Sequence, residues 1–141
     1  MSRAIEGRCL CGAVTLTVGR HEPTVGACHC TMCRRWAGSA LFVFKGEDVQ
    51  VEGPVKVYRS SSFAERAFCG TCGSLLWFKD RNDDDYDVQV GLFEAAREFP
   101  LTSEIYIDQR LACLPLEGGH RQETQAEYEA KYPSVDEGDL T

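Results

Sequence analysis

Residues 69–73 read CGTCG, a C-x-x-C pair followed at once by glycine. In such a turn the two sulfurs converge on one ion, and the glycine permits the positive φ that the turn often needs. A lone C-x-x-C can also be a redox pair, but that interpretation expects a βαβ context. The strand-rich sequence around residues 69–72 lacks it. The stretch therefore predicts half of a tetrahedral zinc site in a fold built from strands.

Seven of the eight cysteines in this 141-residue chain fall into three groups. The groups are the N-terminal pair (Cys9, Cys11), the three-cysteine cluster in the stretch CHCTMC (Cys28, Cys30, Cys33), and the knuckle pair (Cys69, Cys72). Spacing leaves two partitions open. In one, Cys30 and Cys33 join the knuckle pair; in the other, the N-terminal pair joins it and the three-cysteine cluster stays together. The second is simpler, because its three remaining ligands are neighbours in sequence.

Three thiolates and one open position match the layout of a catalytic zinc. The alternative is that His29, His120 or Cys113 fills the fourth position. We expect the His29 side chain to point away from its cysteine neighbours in an extended stretch and to support the site from outside the ligand set or lie at the surface. We expect His120 and His21 to be solvated. Cys113, in LACLP, is predicted to be a small buried hydrophobe and a free thiol.

The overall composition suits one soluble globular domain that does not bind nucleic acid. The formal net charge is −7, and residues 119–141 carry six acids against two bases, so this segment accounts for −4 of it. We predict a zinc-binding domain over residues 1–118 and an acidic tail over residues 119–141, partly helical or disordered, most simply a solvated appendage. No secretory signal or membrane span is visible, and we expect a cytoplasmic protein, where clustered cysteines are more typical of metal ligands or catalytic thiols than of disulfides.

The hydrophobic pattern indicates a mainly β fold with few short helices. Alternating or short apolar runs predict strands in AVTLTV, ALFVF, VQV, VKVYRS, SLLWF, YDVQVGL and EIYIDQ. Short helical turns are compatible with RRWAGS and LFEAAREF, and a further helix with residues 121–132, which ends before Pro133.

Four stretches together resemble the glutathione-dependent formaldehyde-activating enzyme (GFA) family. They are GRCLCGAV (7–14), ACHCTMCRRWAGS (27–39), YRSSSFAERAFCGTCGSLL (58–76) and VGLFE (90–94). The resemblance implies the Mss4-like fold, a β-tent of sheets held by zinc. It also implies two zinc ions per chain: a structural one on Cys9, Cys11, Cys69 and Cys72, and a labile, catalytic one on Cys28, Cys30 and Cys33.

The resemblance implies a carbon–sulfur lyase of the S-(hydroxymethyl)glutathione synthase type, acting on a small thiol such as glutathione. An anionic thiol needs local positive charge, so Arg34 and Arg35, which directly follow the three-cysteine cluster, are predicted to bind substrate. Arg59 and Arg66 are further candidates. The alternative function is a non-enzymatic zinc module, a binding or chaperone protein like Mss4, in which both clusters are structural. The three-cysteine cluster favours the enzyme, because a binding module needs no open metal position.

Overall fold

The computed structural model describes residues 4–133, and it confirms a mainly β chain with two short α-helices. The strands are β1 (Ile5–Arg8), β2 (Thr15–His21), β3 (Val25–Cys28), β4 (Leu41–Glu52), β5 (Val55–Tyr58), β6 (Ala64–Cys69), β7 (Leu75–Asp80), β8 (Tyr86–Gln89), β9 (Leu101–Ile105) and β10 (Arg121–Glu123). The helices are α1 (Thr31–Ala37) and α2 (Gln125–Lys131), and single 3-10 turns lie at Val90–Leu92, Glu94–Glu98 and Ile107–Gln109. None of the helices in this part of the chain is long and apolar enough to cross a membrane.

The long strand β4 organises the sheet, because it pairs with three other strands. Its first half pairs antiparallel with β3 on one edge and with β8 on the other, and its second half pairs with β2. Beyond β8 the sheet continues through β7 and β6 to β5. Beyond β3 it continues through β9 to β10, and these last two pairings are parallel. The three-cysteine cluster therefore lies at the end of β3, in the part of the sheet that continues to β9 and β10.

The apolar core is formed by side chains of β2, β4, β6, β7 and β8 and of the 3-10 turns that follow β8. Phe44 and Phe93 are fully buried and meet edge to face, with ring centroids 5.2 Å apart. Val14, just before β2, and Leu16 and Val18 within it are all buried in this core, as the period of two predicts. Cys9 and Cys69 pack in the same hydrophobic cluster, so one cysteine of the N-terminal pair and one of the knuckle pair belong to the core.

The strand predicted at residues 49–51 is not separate, because β4 runs unbroken from Leu41 to Glu52. A glycine inside this strand has a packing reason: a Cβ at Gly46 would lie 2.8 Å from Cγ1 of Val18. The strand is irregular at Asp48, whose φ of 55° lies in the left-handed region. The stretch LFEAAREF, predicted as helical turns, forms 3-10 turns.

The segment after residue 118 joins the sheet through residues 121–123 and then forms a helix. β10 pairs with β9, and α2 begins with a capping box in which Thr124 and Glu127 each bond the other's backbone N–H. Asp108 accepts a hydrogen bond from the N–H of Gln125 at 2.8 Å, which fixes the start of α2. The last acidic stretch, predicted to be disordered, begins at Ser134 and lies outside the described residues.

Candidate metal centres and substrate cavity

Two turns bring the four-cysteine cluster together (Cys9, Cys11, Cys69, Cys72). The first turn follows β1 and the second connects β6 to β7. Each contains a glycine, Gly12 and Gly73, with a φ of 81°, the left-handed conformation that glycine adopts without strain. Backbone N–H groups point at the sulfurs, for example from Val14 to Cys9 at 3.3 Å and from Thr71 to Cys69 at 3.3 Å. Both turns are therefore shaped to hold thiolates.

The donor set of this cluster fits a tetrahedral zinc ion. Zn–S bonds of 2.3 Å in tetrahedral geometry put sulfurs about 3.8 Å apart. The Sγ atoms of Cys9 and Cys11 are 3.6 Å apart, and those of Cys11 and Cys69 are 3.9 Å apart. Hydrogen bonds from Ser74 lower the pKa of the Cys72 thiol to about 5, which favours the thiolate that a metal binds.

The three-cysteine cluster forms where β3 ends and α1 begins. Cys28 is the last residue of β3, Cys30 caps the N-terminus of α1, and Cys33 lies in its first turn. Hydrogen bonds from Cys28 and Cys33 lower the pKa of the Cys30 thiol against the effect of burial, with further help from the Cys33 N–H and the charge of Arg66. The three Sγ atoms lie within 4.8 Å of one another, so they can share one ion.

Burial does not distinguish the two clusters. Cys11 is exposed, whereas Cys33 is buried and Cys28 and Cys30 are half-buried. The clusters differ instead in the number of thiols and in what adjoins them. Within residues 4–133, four thiols meet at one cluster, and three meet at the other beside a cavity.

The cavity has a volume of about 740 Å³ and includes Cys28, Cys30 and Cys33 in its wall. This is the size of typical small-molecule sites, which span about 300–1,000 Å³. Apolar side chains of the wall come from β4, from the segment before β6 and from β7, including Leu41, Phe63 and Phe78. Further lining side chains come from β9, β10 and α2. Neither cysteine of the knuckle pair lines this cavity.

A buried arginine stands beside the three-cysteine cluster. Arg66 of β6 is 4% exposed, and its guanidinium lies between the rings of Trp36 and Phe78, 5.1 and 5.0 Å from their centroids. Its Nε donates to Oγ of Ser60 at 3.1 Å and its Nη1 donates to Sγ of Cys33 at 3.5 Å. A permanently charged cation in this position offsets part of the negative charge of the thiolates.

Behind the cluster, one buried carboxylate joins two histidines. Oε2 of Glu104 accepts a hydrogen bond from Nε2 of His29 at 2.6 Å, and Oε1 accepts one from Nε2 of His120 at 2.7 Å and one from Gln122 at 3.0 Å. Burial acts to raise the pKa of Glu104, but the hydrogen bonds from His120, Gln122 and His29 outweigh it and lower the pKa. Because an ionised carboxylate only accepts, both histidines carry hydrogen on Nε2.

The structure corrects predictions about two histidines and one cysteine. His29 is as expected: it points away from its cysteine neighbours and lies outside the ligand set, buried and bonded to Glu104. The side chain of His120 is 2% exposed and not solvated, because Glu104 binds it inside the fold. His21 is also buried and stacks on Phe99 with centroids 5.3 Å apart. Cys113 is exposed and not buried, since its segment runs over the surface between the last 3-10 turn and β10.

The two arginines predicted to bind substrate lie away from the cavity in the described structure. Nη1 of Arg34 donates to the carbonyl of Gln109 at 2.9 Å, and Arg35 is exposed. Neither is among the lining residues of the cavity over residues 4–133. Substrate binding by these two residues stays a prediction, and Arg66 is the earlier candidate that the structure places in the wall.

Sequence reasoning missed the residues of the wall that come from far along the chain. Tyr106 follows β9 in a left-handed conformation, with a φ of 58°, and its hydroxyl donates to Glu129 of α2 at 3.1 Å. Burial and the nearby Glu129 charge raise its pKa, so the hydroxyl stays protonated. No local pattern marks Tyr106 or Glu104 in EIYIDQ. The sequence offered one signal of a buried partner, His29, which lies between two predicted metal ligands.

The fold and geometry define a class of protein: a small β protein with a four-thiol site packed partly in its core and a three-thiol site beside a cavity. The family model for the glutathione-dependent formaldehyde-activating enzyme matches residues 4–109, about three quarters of the chain, and the chain belongs to this family. The resemblance seen in the four motifs is thereby confirmed, and so is the Mss4-like fold. Residues 110–133, including β10 and α2, lie outside the match.

Relatives agree with this assignment. An uncharacterized lyase of Schizosaccharomyces pombe is 36% identical over 112 residues, which are 77% of this chain and 82% of that protein. A candidate glutathione-dependent formaldehyde-activating enzyme of Halomonas elongata is 32% identical over 88 residues, or 54% of this chain and 56% of that protein. A crystal structure of a Rhodobacter sphaeroides protein superposes with a TM-score of 0.57 at 26% identity, covering 70% of this chain and 100% of that one.

Proposed function

We propose that this protein is a zinc-dependent carbon–sulfur lyase-type enzyme of the S-(hydroxymethyl)glutathione synthase type, acting on a small thiol and its formaldehyde adduct. The observation that carries the proposal is the three-cysteine cluster opening into a cavity of about 740 Å³. Membership of the family, and the names of the two relatives, support the same reaction class.

The reaction requires few groups from the protein. The sulfur of a thiol bonds to the carbon of formaldehyde, the carbonyl electron pair moves to oxygen, and the proton lost from sulfur ends on that oxygen. A zinc ion on the three thiolates supplies a soft Lewis acid that favours the substrate sulfur as thiolate. Cys28, Cys30 and Cys33 hold the site, and Arg66 offsets their charge.

The four-cysteine cluster has a structural role in this proposal. It lies among core residues, since Cys9 and Cys69 pack in the main hydrophobic cluster. Metal bound there contributes directly to the free energy of folding. Two zinc ions per chain are therefore expected, of which mild chelation removes the one held by three thiols. We place the activity in the cytoplasm, where the eight free thiols stay reduced.

The test is acceleration of exchange between formaldehyde, glutathione and their adduct, followed by carbon NMR with labelled formaldehyde and zinc-loaded protein. We expect acceleration by the wild type and its loss in Cys30→Ser, in which one of the three ligands is weakened. Metal content per chain is measured on the same samples. A zinc-loaded wild type that leaves the exchange rate of glutathione and other small thiols at its uncatalysed value would favour the alternative, a binding module with purely structural zinc.

A further inference from the structure

Beyond the residues matched by the family model, β10 and α2 close one side of the cavity beside the three-cysteine cluster. We propose that Arg121 of β10 binds a carboxylate of a short peptide thiol whose sulfur lies at that cluster, so that this C-terminal segment determines which thiols are accepted. The proposal rests on the proposed function and assigns a residue and a substrate feature to the same site.

Strand register puts Arg121 on the same face as the cysteines. Arg121 pairs with Ser103 of β9, Ser103 pairs with Gly26 of β3, and Cys28 lies two residues beyond Gly26. Side chains two residues apart on a strand point to the same side. All four of these residues line the cavity, as this alternation requires.

The same register gives the span between the two ends of the site. Two strand spacings of about 4.8 Å across and two residues of about 3.3 Å along separate the Cα atoms of Arg121 and Cys28 by about 12 Å. Both side chains line the cavity from the same face of the sheet. A span of about 12 Å equals about three to four residues of extended peptide, and the long arginine side chain can cover part of it. A carboxylate one residue away from the reacting cysteine of a peptide fits the remaining distance, whereas the carboxylate of free cysteine is too close to its own sulfur.

Arg121 differs from the other positively charged residues of the cavity wall, because each of those has a partner. Lys45 lies 3.5 Å from both Asp83 and Asp87, and Lys131 lies 2.5 Å from Glu123. The third cation, Arg66, is held by Ser60 and Cys33, as described above.

Arg121 is exposed and has no hydrogen-bond or ion-pair partner in the described part of the chain. Its guanidinium can therefore bind a carboxylate through two parallel N–H groups without first breaking an ion pair there.

The segment that carries Arg121 is firmly attached. His120 and Gln122, on either side of it, both donate to the buried Glu104, and the neighbouring α2 is joined to Tyr106 through Glu129. The backbone that carries the guanidinium therefore needs no ordering on binding, and only the arginine side chain loses conformational freedom.

The experiment is calorimetric titration of zinc-loaded protein with reduced glutathione, with its diethyl ester and with cysteamine, which has no carboxylate. We expect Arg121→Gln to weaken glutathione binding by about tenfold, the lower end for a hydrogen bond to a charged group at an exposed site. It should leave the affinities for the ester and for cysteamine unchanged, and Arg121→Lys should lose less than Arg121→Gln. The matched control is Arg97→Gln, an exposed arginine that pairs with Glu94 away from the cavity.

The outcomes separate this inference from the proposed function. Equal affinity of the wild type for glutathione and for its diethyl ester would overturn the inference while leaving the enzyme proposal intact, and this comparison needs no variant to fold. Equal weakening of glutathione and cysteamine binding in Arg121→Gln would also overturn it, since the residue would then shape the site without binding a carboxylate. A wild type that binds none of the three thiols would overturn both.

Discussion

Glu104→Gln removes one charge from a buried network and keeps its shape. Glu104 is fully buried and accepts three hydrogen bonds, from His29, His120 and Gln122, at 2.6, 2.7 and 3.0 Å. A glutamine at this position accepts through one side-chain atom only, and its NH₂ group faces a histidine N–H. One buried donor is therefore left without a partner.

We expect a loss of about 2–3 kcal/mol in the free energy of unfolding, the cost of losing hydrogen bonds to a charged group and leaving one buried donor unsatisfied. For a chain of this size, roughly 4 °C of Tm per kcal/mol makes this a decrease of about 8–12 °C. Zinc affinity at the three-cysteine cluster should also fall, by about 10–100-fold, because His29 positions the backbone between two of the ligands and such supporting contacts have effects of that size.

The effect depends on pH in a defined direction. The pKa of Glu104 is lowered in the folded protein, so its charge stabilises the fold above the ordinary pKa near 4.5, and this contribution is lost as the pH falls through the lowered value. The difference between wild type and Glu104→Gln is therefore complete at pH 7 and shrinks in acid. Comparing both proteins at each pH separates it from metal loss, which affects both.

Urea unfolding and competition with a zinc chelator measure the two effects. The matched control is Glu123→Gln, a buried carboxylate of β10 that pairs with the half-exposed Lys131. It should cost about 1 kcal/mol and leave zinc affinity unchanged. If Glu104→Gln unfolds at the same urea concentration as the wild type, the network does not stabilise the fold. If it binds zinc as tightly as the wild type, the network does not position the cluster.

Two further predictions concern the cysteines. Cys69→Ser should unfold or aggregate the protein, because its sulfur lies in the core and the metal it binds contributes folding free energy, whereas Cys30→Ser should stay folded with one zinc fewer. Circular dichroism and metal analysis measure both effects, and equal unfolding of the two variants would make the three-cysteine cluster structural. Cys113→Ala should leave zinc content, chelator sensitivity and Tm within error of the wild type, because this thiol is exposed, and a large drop in affinity at the labile site alone would instead make Cys113 a ligand.

Much of the fold and the three groups of cysteines could be predicted from local patterns. The alternation Val14, Leu16, Val18 predicts the buried face of β2, because successive side chains of a strand point to opposite sides. The knuckle at Cys69 and Cys72 is a local turn with its own glycine, so four or five residues suffice to predict it. Spacing alone left the partition of the seven cysteines open, and family resemblance chose the arrangement that the structure shows.

The rest of the site was decided by pairings between distant segments. Glu104 meets His29 across 75 residues and His120 across 16 because β9 lies parallel to β3 and the chain then turns back toward it. Nothing near His120 distinguishes a buried histidine from a solvated one after two glycines.

The cavity wall follows the same rule: Arg121 reaches it because β10 adds to β9, whereas Arg34 and Arg35, adjacent to the cluster in sequence, point elsewhere on α1. The amino-acid sequence by itself determined the three groups of cysteines and most of the strands, since turns and alternation are short-range. Only the tertiary structure decided what surrounds the three cysteines, because strand order sets which remote residues share a face.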